Sequence, residues 1–435
     1  MSMDSPYLEE LRLSHFKSFE DALLPLRDLT LLIGRNGSGK SNAIDGLQVL
    51  SKLAQGDDLR DAIEGNRGEG SEVRGGVRGS APFGERTFAL GCRVRAGADC
   101  YGLDLAIQVD PDVQIVAERL WSVEPDGERD LLKTDEPERD RIDIIARYHN
   151  GKRGPNPALP FRSTRLLTAQ VASRVPSSPK ATQRVHLAAA RVLEALQAVF
   201  VLDPVPSLMR QYVPARDTVL RRRADNLSAA VGALLRDPDT ESRLRELVRE
   251  LPEQAVDRIT VESSSLGDVI IALDERRGKS NVPVSARVMS DGMLRFLAFA
   301  AALLEAPLLE EDGDRESGHT MLVIEEIENG LHPSQAARVV ELIKAEARRR
   351  RIRTLATTHS PAMLSALRAE DHDGVVVCDR DPDGGGSRLR RLVDLPAYPR
   401  AMATGSLGDA VVRRRLEERD DRDALHELDA VLTGS

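Results

Sequence analysis

Eight residues near the N-terminus have the types and spacing to hold a phosphate chain: Gly34, Arg35, Asn36, Gly37, Ser38, Gly39, Lys40 and Ser41, with Asn42 following. They fit the pattern G-x-x-x-x-G-K-S/T. Its glycines let backbone amides turn inward around an anion, and the start of a following helix adds partial positive charge. Lys40 brings a point charge to the terminal phosphates and Ser41 offers a hydroxyl to magnesium. Two further clusters carry chemistry. MLVIEEIENGLHP sets Glu325 and Glu326 at the end of an apolar run, one suited to a magnesium shell and the next to polarising an attacking water. TLATTHSP sets His359 at the end of another, on the edge where ligands of open α/β sheets gather. Alone, such a histidine reads as structural; beside a phosphate loop and paired acids it reads as a γ-phosphate contact.

These residues need elements to place them. LEELRL, ALLPL and LTLLI read as strands ahead of the glycine loop, and Lys40 to Leu53 as the helix after it. Alternation in TFALGCRVRA, CYGLDLAIQV and VQIVAERLWSV predicts an antiparallel meander. The glycine-rich stretch Gly65 to Gly84 reads as a surface loop, either functional or a plain connection. Helical patterns follow at His186 to Gln197 and Asn226 to Leu251, two strands in ITVESSSLGDVIIALDER, a buried helix in MLRFLAFAAALL and a buried parallel strand in TMLVIEE. The rhythm is that of an α/β fold with helices on a sheet, interrupted by a long insert. The expected divisions are 1–145, the N-terminal part of the head; 146–255, a basic and mainly helical insert; 256–390, the rest of the head; and 391–435, a helical tail.

Composition bounds the partners. The 435 residues include 61 Lys and Arg against 70 Asp and Glu, a formal charge of −9 that disfavours generic adhesion to DNA or anionic membrane. The longest uninterrupted apolar stretch, Phe296 to Leu304, is far short of the roughly 20 residues that cross a bilayer. The start, MSMDSPYLEELRL, has no apolar signal core, so no membrane contact is expected and the cytoplasm is the expected compartment. Cys92, Cys100 and Cys378 lack paired ligand spacing and read as buried thiols. Charge is uneven: residues 147–223 hold 14 Lys and Arg against Glu194, Asp203 and Asp217. Such a stretch suits contact with a nucleic-acid backbone; equally, its arginines can pair with the acidic remainder. Few aromatics lie there, which leaves no stacking platform for single strands and favours a duplex or a protein partner.

Taken in order, HFKSF, GRNGSGKSN, VMSDGMLRFL, VIEEIENGLHP and TTHSP resemble the ABC-type ATPases of the RecF, structural-maintenance-of-chromosomes and OLD group. The resemblance is strongest to compact prokaryotic AAA-family ATPases whose signature reads SDG, and it frames Phe16 to Pro361. It implies an ABC-type P-loop ATPase head, a mixed sheet with helices, whose long insert forms a mainly helical basic lobe. It implies ATP and Mg2+, and a homodimer in which the signature of one subunit closes on nucleotide held by the phosphate loop of the other, an ATP sandwich. On that carry-over Ser290 and Gly292 contact the γ-phosphate in trans. Glu325 is the magnesium-associated acid, Glu326 the catalytic base and His359 the switch histidine, with Lys40 among the catalytic groups. Asn329 and Gly330 lie in the loop that crosses the seam. Gln170 of LLTAQVAS stands where a glutamine senses magnesium and the water, or is a plain polar helix residue; Lys17 of HFKSF reaches a phosphate or is solvated.

The implied function is a slow ATP-hydrolysing switch that couples to DNA transactions or to an effector, such as a separately encoded Toprim-like nuclease, in genome maintenance or phage defence. The alternative is an ATP-binding scaffold with little turnover that regulates such a partner. The 250 positions from Lys40 to Ser290 disfavour a transporter subunit, and no heptad run supplies a coiled-coil arm. Two departures from the group matter. Asp291 replaces the commonest signature glycine, which sets an acid near the γ-phosphate and either slows closure or demands a compensating cation. Glu325 replaces the usual aspartate and is one methylene longer. VVVCDRDPDGGG, with Asp379 and Asp381, mimics a nuclease DxD but reads better as a strand closing in an acidic turn. Gly408 to Leu432 reads as a helix able to dock on a partner.

Overall fold

The computed structural model describes residues 5–65, 73–136, 143–178, 180–249, 256–277, 280–305, 321–330, 332–381 and 384–416. In chain order its strands are β1 (Tyr7–Phe16), β2 (Phe19–Pro25), β3 (Leu29–Ile33), β4 (Thr87–Ala96), β5 (Asp99–Gln108), β6 (Gln114–Glu124), β7 (Gly127–Thr134), β8 (Asp143–Tyr148) and β9 (Ala158–Arg162). Then come β10 (Val199–Leu202), β11 (Val213–Pro214), β12 (Val256–Ser263), β13 (Asp268–Arg277), β14 (Ser280–Ser285), β15 (Met321–Ile324), β16 (Arg353–Thr358), β17 (Val375–Arg380) and β18 (Ser387–Arg391).

One sheet runs β10-β15-β16-β3-β17-β18-β2-β1-β4-β5-β6-β7-β8-β9. Its first five strands are parallel. Strands covered on both faces bury nearly every residue: all of β15 is buried, and all of β16 but Arg353. From β2 to β9 neighbours are antiparallel, so the expected three-strand meander extends by three more. Alternation along β3 sends Leu31 and Ile33 into one hydrophobic core and Leu32 into another.

The first core lies beneath the helices Lys40–Ala54 and Lys180–Gln197; the latter buries Val185, Ala188, Ala189, Val192, Ala195 and Leu196 at helical spacing. The second gathers the helix Asp291–Glu305, buried at 12 of 15 positions, the helix Ala336–Arg350, and a small sheet β11-β13-β12 with β14 beside β13. Because the five core strands run the same way, their C-terminal ends share one edge. Asp203, Glu325, His359 and the loop from Gly34 therefore emerge together.

Several sequence expectations change here. The stretch 146–255 does not stand apart: β8 and β9 continue the large sheet, the helix Lys180–Gln197 packs on it, and β10 pairs with β15 inside it. Burial decides this, since the apolar face of that helix is covered by the sheet and by the helix Lys40–Ala54. Of Gly65 to Gly84, residues 66–72 lie outside the described set, and the rest is pinned at buried positions while Arg74, Arg78 and Phe83 stay exposed. Val73, Val77, Ser80 and Ala81 are buried, and the Lys17 N–H donates to the Ser80 carbonyl at 2.9 Å. Asn226 to Leu251 forms two helices, Leu227–Leu234 and Pro238–Arg249, with 250 and 251 outside the described residues. The tail shows a helix at Leu407–Val412, and 417–432 lie outside the described residues. Asp379 and Asp381 face arginines, Asp379 meeting Arg390 at 2.6 Å and Asp381 meeting Arg388 at 3.6 Å. All three cysteines are free and buried. No described helix is long and apolar enough to cross a membrane.

Candidate nucleotide site

Past Ile33 the chain turns at Gly34, where a Cβ would lie 2.1 Å from the Cys378 carbonyl oxygen, so no other residue fits. Neighbouring strands then clamp the loop. Cys378 Sγ donates to the Ser38 carbonyl at 3.3 Å, Ser387 Oγ to the same oxygen at 2.6 Å, and Arg380 Nε to the Gly37 carbonyl at 3.1 Å. Asn42 Nδ2 donates to Ser18 Oγ at 2.7 Å, tying the first helical turn to the β1–β2 corner. Lys40 Nζ donates to the carbonyls of Gly34 at 2.7 Å and Arg35 at 3.0 Å, across the mouth of the loop. Burial lowers its pKa, opposed by Cys378, Glu326 and Glu328.

Ser41 Oγ donates to Glu325 Oε2 at 3.2 Å, a contact between residues 284 positions apart. Burial raises the Glu325 pKa and nearby Asp203 and Asp45 add to it, while Arg74 and Ser41 oppose. Arg74 Nη2 stands 3.8 Å from the same Oε2. A hydroxyl and a buried carboxylate, crowded by further acids, form an oxygen donor set that suits Mg2+. That ion takes one or two protein ligands and completes its shell with phosphate and water. Glu326 follows with φ 49°, a conformation costing a non-glycine residue about 1–3 kcal/mol. It is held there because its N–H donates to Thr357 Oγ1 at 2.8 Å and its Oε2 accepts from Asn329 Nδ2.

His359 lies just beyond β16, its Nδ1 2.8 Å from Glu328 Oε1. Ser290 caps the helix Asp291–Glu305, its Oγ accepting the Met293 N–H at 3.2 Å. A Cβ on Gly292 would lie 1.9 Å from the Gly330 carbonyl oxygen, so the signature and the Asn329–Gly330 loop touch through two glycines. Asp291 is paired with Arg210 at 2.6 Å.

Two expected site residues sit elsewhere. Lys17 is not solvated: its ammonium pairs with Asp45 of the phosphate-loop helix, the side chains 6% and 5% exposed. The turn after β1 points it inward, and a buried ammonium must find a carboxylate. Gln170 is not brought to Ser41 or Glu325. Its Nε2 donates to the carbonyls of Arg162 at 3.0 Å and Arg165 at 3.1 Å, and its Oε1 accepts the Arg162 N–H at 3.1 Å. It spends its carboxamide closing the turn between β9 and its own helix. Conversely, Arg74, Arg210 and Glu328 reach the site without having been singled out. Only Glu328 left a local signal, as the third acid of EEIEN.

Residues 29–365 match the family described as "AAA domain, putative AbiEii toxin, Type IV TA system". The chain belongs to this AAA-domain family. Comparison with curated proteins finds no match. Among solved structures, an Smc head bound to the C-winged helix domain of ScpA is similar at 16% identity and TM-score 0.47, covering 88% of this chain and 97% of that one. The SMC head domain from Thermotoga maritima is 12% identical with TM-score 0.42, covering 88% and 98%. The recombination mediator RecF with ATP is 13% identical with TM-score 0.39, covering 86% and 97%. This AAA-domain chain has a mixed α/β sheet with helices packed on it, with its phosphate loop, paired acids and histidine on one sheet edge.

Proposed function

We propose that this AAA-domain protein is a cytoplasmic switch that binds ATP with Mg2+, dimerises on it and hydrolyses it slowly. The change of geometry passes to DNA or to an effector such as a separately encoded nuclease. The observation that carries the reading is the 3.2 Å contact between Ser41 Oγ and Glu325 Oε2, with Glu326 next in the chain. Lys40 and the amides of 34–41 hold the phosphates. Ser41 and Glu325 would hold Mg2+, which when bound neutralises charge on the phosphate oxygens. Glu326 takes a proton from the attacking water. His359 turns its outer ring nitrogen toward the terminal phosphate. Ser290 and Gly292 offer a helix start to the nucleotide of a second copy. Glu326→Gln should bind ATP, lose turnover and double its mass by light scattering when ATP is added. Turnover equal to wild type would remove Glu326 from this role, and an ATP-loaded monomer counts against the sandwich.

One observation favours the scaffold reading: Arg74 stands 3.8 Å from the carboxylate oxygen that would meet magnesium. Hydrolysis no faster than that of Lys40→Ala, with tight ATP binding retained, decides for a platform with little turnover. As to DNA, Arg147, Arg191 and Arg221 of the basic stretch pair with Asp135, Glu194, Asp217 and Asp225, and Arg184 with Glu124. These pairs support the intramolecular use of its charge. Duplex affinity that falls steeply with salt would favour a DNA contact instead.

A further inference from the structure

Asp291 opens the signature helix immediately after Ser290, with its side chain 62% exposed. A phosphate approaching Ser290 and Gly292 meets that carboxylate, and like charges at close range repel. The first turn of a helix attracts an anion through its partial positive charge, and an unpaired acid there cancels part of the attraction.

Arg210 stands against this acid. Its Nη2 donates to Asp291 Oδ1 at 2.6 Å and to the Met289 carbonyl at 2.8 Å, so one nitrogen is tied to both sides of Ser290. The arginine follows the short helix Pro206–Met209 on a stretch fastened at several points. The Asp203 N–H donates to the Arg222 carbonyl at 2.9 Å and the Val205 N–H to the Arg223 carbonyl at 3.0 Å. The Glu305 carboxylate, from the far end of the signature helix, accepts the Leu220 N–H at 2.8 Å. Nε and Nη1 of Arg210 make no hydrogen bond among the described residues, and the side chain is 26% exposed, so the group is anchored at one corner.

We propose that Arg210 is a positioning residue of the signature: it neutralises Asp291 and holds the Met289–Asp291 turn in a shape that admits the terminal phosphate of ATP bound to a second copy of this chain. The inference rests on the ATP-sandwich reading above. It gives the SDG signature a physical sense, since the acid is acceptable where a fixed arginine cancels it.

The test uses the full chain carrying Glu326→Gln, with ATP-dependent dimerisation followed by analytical ultracentrifugation and monomer loading by a fluorescent ATP analogue. Arg210→Ala should weaken the ATP-bound dimer at least about tenfold, because it leaves like charges facing each other, and should leave monomer loading unchanged. Arg210→Ala combined with Asp291→Gly, which removes both charges, should recover most of that loss. A merely structural arginine would not be rescued in this way, since a glycine at 291 restores no packing. Dimerisation of Arg210→Ala at the parent's strength, or a double variant as weak as Arg210→Ala, overturns the proposal. A parent that stays monomeric in ATP overturns the sandwich reading and this inference with it, which separates the two failures.

Discussion

Glu328 holds His359 twice: its Oε1 accepts the His359 backbone N–H at 2.7 Å and lies 2.8 Å from Nδ1 of the same residue. A carboxylate on Nδ1 fixes the ring's orientation and leaves Nε2 as the outward nitrogen. The anchor is 11% exposed and the imidazole 47%, so a buried acid aims a half-exposed ring. Glu328→Ala should therefore lower ATP turnover roughly 10- to 100-fold while nucleotide binding persists. Because the two act as a unit, His359→Ala with Glu328→Ala should turn over no more slowly than His359→Ala alone. Steady-state phosphate release measures both, and additive losses would give Glu328 a separate task.

Lys17 and Asp45 form a pair sealed from solvent. Removing one partner leaves the other charge buried, at a cost of about 3–5 kcal/mol. Lys17→Met should lose stability of that order in urea unfolding, and Lys17→Met with Asp45→Asn should sit closer to wild type. Where the single variant remains folded, its ATP affinity should match wild type. A selective loss of ATP affinity would return Lys17 to the phosphates.

Glu118 gathers the start of the helix Leu167–Arg174. Its carboxylate accepts the Leu167 N–H at 2.7 Å, the Thr168 N–H at 2.6 Å and the Thr168 hydroxyl at 2.7 Å. Burial outweighs these bonds and pushes its pKa from 4.5 up to about 7. The folded chain thus keeps a proton that the unfolded chain releases. The stability this group adds is full below its unfolded pKa of 4.5 and is lost as pH rises through about 7. Glu118→Gln turns an amide donor against backbone donors and should cost about 1–3 kcal/mol. The gap between wild type and variant, measured by urea unfolding, should narrow from pH 5 to 7.5. A gap that widens over this range would contradict the assignment.

Gly292 packs on the Gly330 carbonyl so closely that a methyl group would sit 1.9 Å from it. Both sides of the clash are backbone, so neither can swing away. Gly292→Ala should destabilise by about 1–3 kcal/mol, an overpacking cost. Gly267→Ala is a fitting control, since a Cβ there meets nothing within 4 Å and only φ +84° opposes it. Calorimetry that found the two variants equally stable would mean that the signature and the Gly330 loop part readily.

Sequence alone determined what is local. The phosphate loop depends on eight consecutive residues and the strand and helix around them, and it was legible for that reason. The strand β15 was legible because a strand covered on both faces is a nearly continuous apolar run, and the helix from Asp291 because its apolar residues crowd a short span. Tertiary structure alone decided which runs became neighbours. It brought Ser41 to Glu325, sent Lys17 into a buried pair, turned Gln170 onto its own backbone, and delivered Arg74 and Arg210 from stretches that read as a loop and a basic insert. These outcomes depend on strand order and on which faces are buried, and all but the local closure by Gln170 join residues tens to hundreds of positions apart. Periodicity reports which way a side chain faces along its own element, and it carries no information about what waits on the other side.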